Sequence, residues 1–325
     1  MKDHTFDARI DLSSFAEQVR KIKEEIGKVI VGQDELVELL ITGIIADGHL
    51  LIEGVPGVAK TLAAKLLSKI ISIDFARVQF TPDLMPSDVI GTSIYNMKTS
   101  EFEFRRGPIF SSIILIDEIN RAPAKTQAAL FEVMEERQIT VDGITHKMKT
   151  PYLVVATQNP IEQEGTYRLP EAQLDRFLFK ILVNYPSLDN EVEILTRHHE
   201  RKGSLPLESI VPVLSEEEIN SLRQFSHRVH VEPNLVRYIA QIVHETRNNP
   251  MLFLGASPRA SIAILTAAKA HALLEGRDFV SPEDIKKVSL PVLRHRIMLS
   301  PEKEMEGTSP DDVAKIMINK VEVPR

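Results

Sequence analysis

The sequence has no cysteine and no tryptophan in its 325 residues. Without cysteine there is no disulfide, no thiolate metal site and no cysteine nucleophile. Aromatic residues make up only 6% of the chain, so the core must be mainly aliphatic. No stretch approaches the ~20 uninterrupted apolar residues of a membrane span. Residues Met1 to Arg20 mix acids, bases and scattered apolar side chains, with no secretory apolar segment. A cytoplasmic location without direct membrane insertion is therefore expected, and any work at a membrane would go through a partner. Positive charge is not in excess either. The 39 Lys and Arg against 46 Asp and Glu leave a net −7, which disfavours a general polyanion binder. Hydrophobic content of 43% and charged content of 26% are ordinary for a soluble globular chain. The length suits two domains.

Hydrophobic periodicity places the elements. Phe15, Val19, Ile22 and Ile26 mark one face of a helix stopping near Gly27, and a second helix is predicted from about Asp34 to Ala46. His49 to Glu53 reads as a buried strand, followed by a glycine-rich turn and a helix from Thr61 to Ile71. Further strands are predicted at Ala76–Phe80, Ile113–Ile116, Tyr152–Ala156 and Phe177–Val183, with a helix at Lys125–Arg137. The aliphatic run Ile113–Ile116 suits a strand buried on both faces of a parallel sheet. Strands alternating with helices predict an α/β sheet. Gly91–Phe104 and Gln138–Met148 break the alternation and read as inserted β-hairpins, the second turning at Asp142-Gly143. After about Pro186 the strand signal ends. Helix starts follow at Ser215, Ser257, Ser281 and Ser309, so this part is predicted to be all-helical beyond a linker around Asn184 to Asn190.

Three motifs carry chemistry. The first strand runs into Gly54-Val55-Pro56-Gly57-Val58-Ala59-Lys60-Thr61, a phosphate-loop pattern with Ala59 in place of its second glycine. Alanine is harmless there if that position is already right-handed helical. Backbone N–H groups at the helix N-terminus would cradle phosphates, Lys60 would reach the β- and γ-phosphates, and the Thr61 hydroxyl would ligate Mg²⁺. The bland alternative is a plain Gly-Pro turn. The second motif, Ile113 to Glu118, ends a strand in two carboxylates. Asp117 would serve Mg²⁺ and Glu118 the attacking water. Standing alone, such a pair is a helix cap or a solvated edge. The third motif is Ala156-Thr157-Gln158-Asn159-Pro160. On residues alone, Asn159 reads as a cap for the following turn.

These motifs, in this order, resemble an AAA+ ATPase, and finer features resemble the MoxR family within it. Those features are Val31-Gly32-Gln33, Glu53-Gly54-Val55-Pro56-Gly57, Gln79-Phe80-Thr81-Pro82-Asp83-Leu84 with Pro86, and Gly107-Pro108-Ile109-Phe110. They continue with Asp117-Glu118-Ile119-Asn120-Arg121-Ala122, Ala156-Thr157-Gln158-Asn159-Pro160 and Leu169 to Phe177. The resemblance spans about Val31 to Leu299. It implies a P-loop αβα sandwich with a five-stranded parallel sheet over residues 1–186 and a helical lid over 187–325, with ATP and Mg²⁺ as ligands. Ile30, Val31 and Gln33 would lie near the adenine, and the loop from Gly54 through Leu62 would hold the phosphates. Thr61 and Asp117 would hold the metal. Glu118 and Lys60 would be catalytic, with Asn159 as a first sensor and Arg259 as a second. Arg176 would be the finger completing a neighbouring copy's site, with Arg168 competing for that role. Gln79 would relay between substrate and Glu118. The hairpins would point at the pore of a ring, expected to be hexameric. Implied partners are a von Willebrand factor A domain protein and a client protein complex that is assembled or activated.

Blander readings stand beside these. Arg176 next to Asp175 is by default a salt-bridged surface residue. Arg259 at a helix start opposes the helix dipole, which suits an anionic partner or simple solvation. A nucleic-acid motor would need the basic clusters Arg105-Arg106 and Lys147–Lys149 at the pore. An ATP-gated binding module would hydrolyse little, although both Asp117 and Glu118 are present.

Overall fold

The computed structural model describes residues 13–55, 57–159, 167, 169–200 and 206–324. Two compact units emerge. One comprises residues 25–220, and the other residues 1–24 with 221–325. The expected boundary at residue 186 thus falls inside the first unit, and the N-terminal helix begins in the second.

The first unit is built on a five-stranded sheet of β1 (His49–Gly54), β2 (Phe75–Gln79), β3 (Ile113–Asp117), β4 (Leu153–Gln158) and β5 (Phe177–Val183). Their spatial order is β2-β3-β4-β1-β5, and every pairing is parallel. Strand residues alternate between faces. Leu51, Ile114, Ile116, Val154 and Ala156 pack with Leu130, Phe131 and Met134 of the helix Ala124–Glu136. Their alternates Leu50, Ile52, Ile113, Leu115 and Val155 are equally buried, on the face that the helices Asp34–Ile45 and Lys60–Ile70 cover. Burial on both faces explains why these strands read as continuous aliphatic runs. His49 joins the layers. Its Nδ1 accepts from Val154 N–H at 3.0 Å, which leaves Nε2–H facing Met134 O at 3.2 Å.

Both predicted hairpins are present. Gly91–Asn96 pairs antiparallel with Glu101–Arg106, and Gln138–Val141 with Ile144–Lys147. The second turns at Asp142 and Gly143, both with positive φ, as a two-residue hairpin loop requires. The first closes at its base through Gly107 N–H to Ile90 O at 2.9 Å. Gly91 there has φ +109, and a Cβ would meet Arg105 O at 2.2 Å, so only glycine fits. The hairpins touch: Phe104 stacks on His146 with centroids 4.9 Å apart, and the Ser93 hydroxyl donates to Asp142.

The second unit packs helices Pro233–Arg247, Pro258–Leu274, Pro282–Leu293 and Pro310–Lys320 on one another. The helices led by Ser257, Ser281 and Ser309 start as the sequence reads, and the one at Pro233 starts without a serine cap. Ser281 and Asp284 form a capping box, as do Ser309 and Asp312. The expectation of an all-helical part is corrected by two short strands. Leu252–Leu254 pairs antiparallel with Met298–Leu299, a ladder too short to leave a periodic signal. Among the described residues no helix is long and apolar enough to cross a membrane.

Asp284 anchors this unit. It is 1% exposed and receives Arg277 through both oxygens, at 2.6 and 2.7 Å. His271 Nδ1 lies 2.6 Å from the same carboxylate, and Ser281 N–H and Oγ both donate to it. Burial alone would raise its pKa. The Arg277 guanidinium, His271 and Ser281 outweigh that and hold it well below the carboxylate range. A depressed folded pKa gives stability that is complete above pH ~4 and lost as pH falls toward the folded value. Asp284→Ala should therefore lower the stability of the helical unit by about 3–5 kcal/mol at neutral pH, leaving Arg277 without its partner. It should also flatten the acid limb of stability against pH. Urea unfolding of wild type and variant between pH 3 and 7 measures both.

Candidate functional site

Parallel register brings the three motifs to one sheet edge. Gln79 pairs with Asp117, Ile116 with Ala156 and Glu53 with Gln158, so the C-terminal ends of β1 to β4 lie level. The phosphate-loop pattern leaves β1 there and enters the helix Lys60–Ile70. Val58 is buried, Gly57 is exposed with φ +86, and Pro56 lies outside the described residues. The Lys60 ammonium donates to Gly54 O, folding its side chain back over the loop.

Ala59 departs from expectation. It has φ 61 and ψ 16, left-handed rather than right-handed helical. The loop must turn sharply before the helix, and the glycine of the usual pattern would do so without strain. Alanine there costs about 1–2 kcal/mol. As N-cap, Ala59 also has no side-chain oxygen, and the first helical turn carries no acid. Ala59 therefore gives the leading N–H groups no side-chain cap, and they point from the positive end of the helix dipole. That is the arrangement an anion fills.

The acid pair is held on several sides. Asp117 ends β3 and is buried, and Glu118 follows in a left-handed conformation with φ 56. Such backbone outliers cluster at functional sites. Asp117 Oδ1 accepts from Thr157 Oγ1 at 3.2 Å, and Oδ2 accepts from Arg77 Nε at 2.6 Å. Thr157 Oγ1 also accepts from Glu118 N–H at 3.0 Å, so one hydroxyl ties β4 to both acids. Glu118 Oε2 receives Gln79 Nε2 at 2.8 Å and lies 3.0 Å from Arg121 Nε. The buried Gln127 amide donates to Ile119 O at 3.1 Å, fixing the turn below. Asn159 is buried just past the end of β4.

Ile30 is buried, and Gln33 Nε2 donates to Asn184 O at 3.2 Å. Because Gly54 pairs with Val183, the segment Ile30–Val31–Gln33 is tied just beyond the β5 end, next to the start of the loop. Thr61 and Leu62 are half-buried in the first turn of the loop's helix. Arg176 donates to Phe131 O and lies 3.9 Å from Glu135, so it rests on its own chain. Arg168 lies outside the described residues. Arg259 is exposed in the other unit, on the first turn of the helix Pro258–Leu274. Sequence reading missed Arg77, Arg121 and Thr157 as site residues. The available signals were spacings: Arg77 shares a strand face with Gln79, Thr157 shares one with Asn159, and Arg121 follows Glu118 by a helical turn.

Comparison with known proteins agrees with this geometry. Residues 49–179 match the ATPase family associated with various cellular activities (AAA), and residues 244–316 match the AAA lid domain. The chaperone MoxR1 of Mycobacterium tuberculosis is 45% identical over 93% of this chain and 81% of its own. The chain belongs to the MoxR family of AAA+ ATPases. The uncharacterized protein YeaC of Bacillus subtilis is 48% identical over 94% of each chain, and the protein MoxR of Methylorubrum extorquens 31% over 90% and 91%. A crystal structure from Cytophaga hutchinsonii, described as a candidate ATPase, superimposes with a TM-score of 0.89 at 41% identity, covering 97% of each chain. The MoxR assignment carries ATPase activity at family level and a lid domain C-terminal to the sheet domain.

The Ala59 backbone makes a test by sign. If alanine is strained, Ala59→Gly should raise stability, the relief of about 1–2 kcal/mol exceeding the added chain entropy of about 0.4–1 kcal/mol. A right-handed Ala59 would instead lose about 1 kcal/mol on the same change. Urea denaturation of the nucleotide-free protein separates the two.

Proposed function

We propose that this chain hydrolyses Mg²⁺-bound ATP at the sheet edge and uses the cycle to remodel client protein complexes as a ring of identical copies. The observation that carries the reading is the start of the helix Lys60–Ile70, where Ala59 offers no side-chain cap, lying level with a buried Asp117 and a partly exposed Glu118. Ile30, Val31 and Gln33 are the proposed adenine side of the pocket. The loop from Gly54 to Leu62 is the proposed phosphate cradle, and Arg259 a second sensor from the lid.

The donor set suits magnesium: a hydroxyl on Thr61 and a carboxylate on Asp117 are hard oxygen ligands, and the carboxylate already holds a cationic partner, Arg77. Bound there, Mg²⁺ would neutralise charge on the β- and γ-phosphates. The other work falls to side chains. Lys60 would leave Gly54 O and extend to the phosphates. Glu118 would orient and polarise the attacking water, in line with the γ-phosphorus. Its carboxylate is now held by Gln79 and Arg121, so hydrolysis requires Glu118 to be turned toward the water. Gln79 sits on the strand leading to the first hairpin and is the proposed relay between client and Glu118. Asn159 would fix the γ-phosphate side. Arg176 is the proposed finger for a neighbouring copy, which requires it to leave Phe131 O.

Client contact is assigned to the first hairpin, where Ile94, Tyr95, Met97 and Phe102 are exposed. Phe102 is flanked by Glu101 and Glu103, which disfavours a phosphate backbone and favours protein. A von Willebrand factor A domain partner, a hexameric ring and a cytoplasmic setting complete the reading.

ATP turnover per subunit, followed against protein concentration with Mg²⁺ present, tests it. Turnover should rise as copies assemble, and Arg176→Ala should abolish that rise. Glu118→Gln should bind ATP yet lower kcat by about 10²–10⁴-fold. Wild-type turnover in Glu118→Gln would replace this reading with an ATP-gated binding module.

A further inference from the structure

Arg77 holds one oxygen of the carboxylate that the proposed metal needs. It lies on the edge strand β2, two residues before Gln79, so both side chains leave the same face. Its Nε donates to Asp117 Oδ2 at 2.6 Å. Thr157 Oγ1 takes Oδ1, so both oxygens of Asp117 are engaged by the chain itself.

The pair is unequal. The Asp117 side chain is 9% exposed and fixed at the end of a central strand, while the Arg77 side chain is 54% exposed on a long flexible stem. When another cation approaches, the carboxylate cannot turn away, and the guanidinium can swing into water with little desolvation to reverse. A guanidinium on Oδ2 also repels a divalent ion and takes the lone pairs that the ion's water shell would use. Thr157 is neutral and presents no such conflict, so it can stay in place.

We infer that Arg77 is a resting-state counter-ion that competes with the metal for Asp117 and sets the magnesium concentration at which the site loads. This rests on the ATP-site reading above. Arg77 thus acts through Asp117 as a positioning residue. It keeps a buried carboxylate paired when the site is empty and yields it on loading.

The test is equilibrium binding of a fluorescent, non-hydrolysable ATP analogue to the full chain, titrated with MgCl₂. Arg77→Gln should lower the magnesium concentration for half-maximal binding by about 3- to 10-fold, the range expected for removing one partly exposed charge-assisted contact. Affinity for the analogue in EDTA should stay within about twofold of wild type. Arg77→Lys keeps the charge and should lie nearer wild type. Circular dichroism melts show whether each variant is folded, and half-exposure of the side chain predicts that both are. An unchanged or raised magnesium requirement in Arg77→Gln would overturn the inference, the latter because it would make Arg77 an aid to metal binding. Wild type that binds the analogue without any magnesium dependence, or not at all, would overturn the ATP-site reading and the inference together.

Discussion

Parallel pairing of the central strands fixes the level at which Gly54, Gln79, Asp117 and Gln158 end, because each register aligns one strand's C-terminus with its neighbour's. Side chains from separate parts of the sequence then meet without any loop having to carry them there. A slip of one residue in β3 would turn Asp117 to the opposite face and separate it from Thr157 and Arg77. The slip is opposed by the aliphatic faces themselves. Ile113 to Ile116 are fully buried on both sides, and moving them would force each into the wrong packing layer.

The site is also a set of balanced charges. Arg77 on Asp117, and Gln79 with Arg121 on Glu118, keep both acids partnered. An isolated buried carboxylate would be expensive, so the proposed metal site needs a substitute cation whenever it is empty. The same logic governs Asp284 in the helical unit, where the partners are permanent and the outcome is structural. The difference is exposure: Arg77 is half in water, while Arg277 is largely enclosed.

Much of the fold was legible in the sequence. The three inner strands β1, β3 and β4 announce themselves because burial on two faces demands unbroken aliphatic runs, and the hairpin at Asp142-Gly143 because its turn needs two positive φ values. The four serine-led helix starts were legible for the same kind of reason, each supplying a cap. Other features required three dimensions. The ladder of Leu252–Leu254 with Met298–Leu299 is too short to have a period. The sequence leaves the Ala59 backbone open, since alanine is harmless only in a right-handed conformation, and the tight exit from β1 imposes the left-handed one. Thr157 stands inside the third motif and Arg77 in none, and for both what matters is their register against Asp117, a property of pairing. The family resemblance named the residues of the proposed phosphate site, while the packing shows what holds them.

Hydrogen exchange of the full chain, with and without a non-hydrolysable ATP analogue and Mg²⁺, tests the central claim most directly. If the sheet edge is the nucleotide site, exchange should slow together in residues 54–62, 117–121 and 157–159, with little change along the hairpin 138–147. Binding of the analogue with protection elsewhere and none in those three segments would contradict the account.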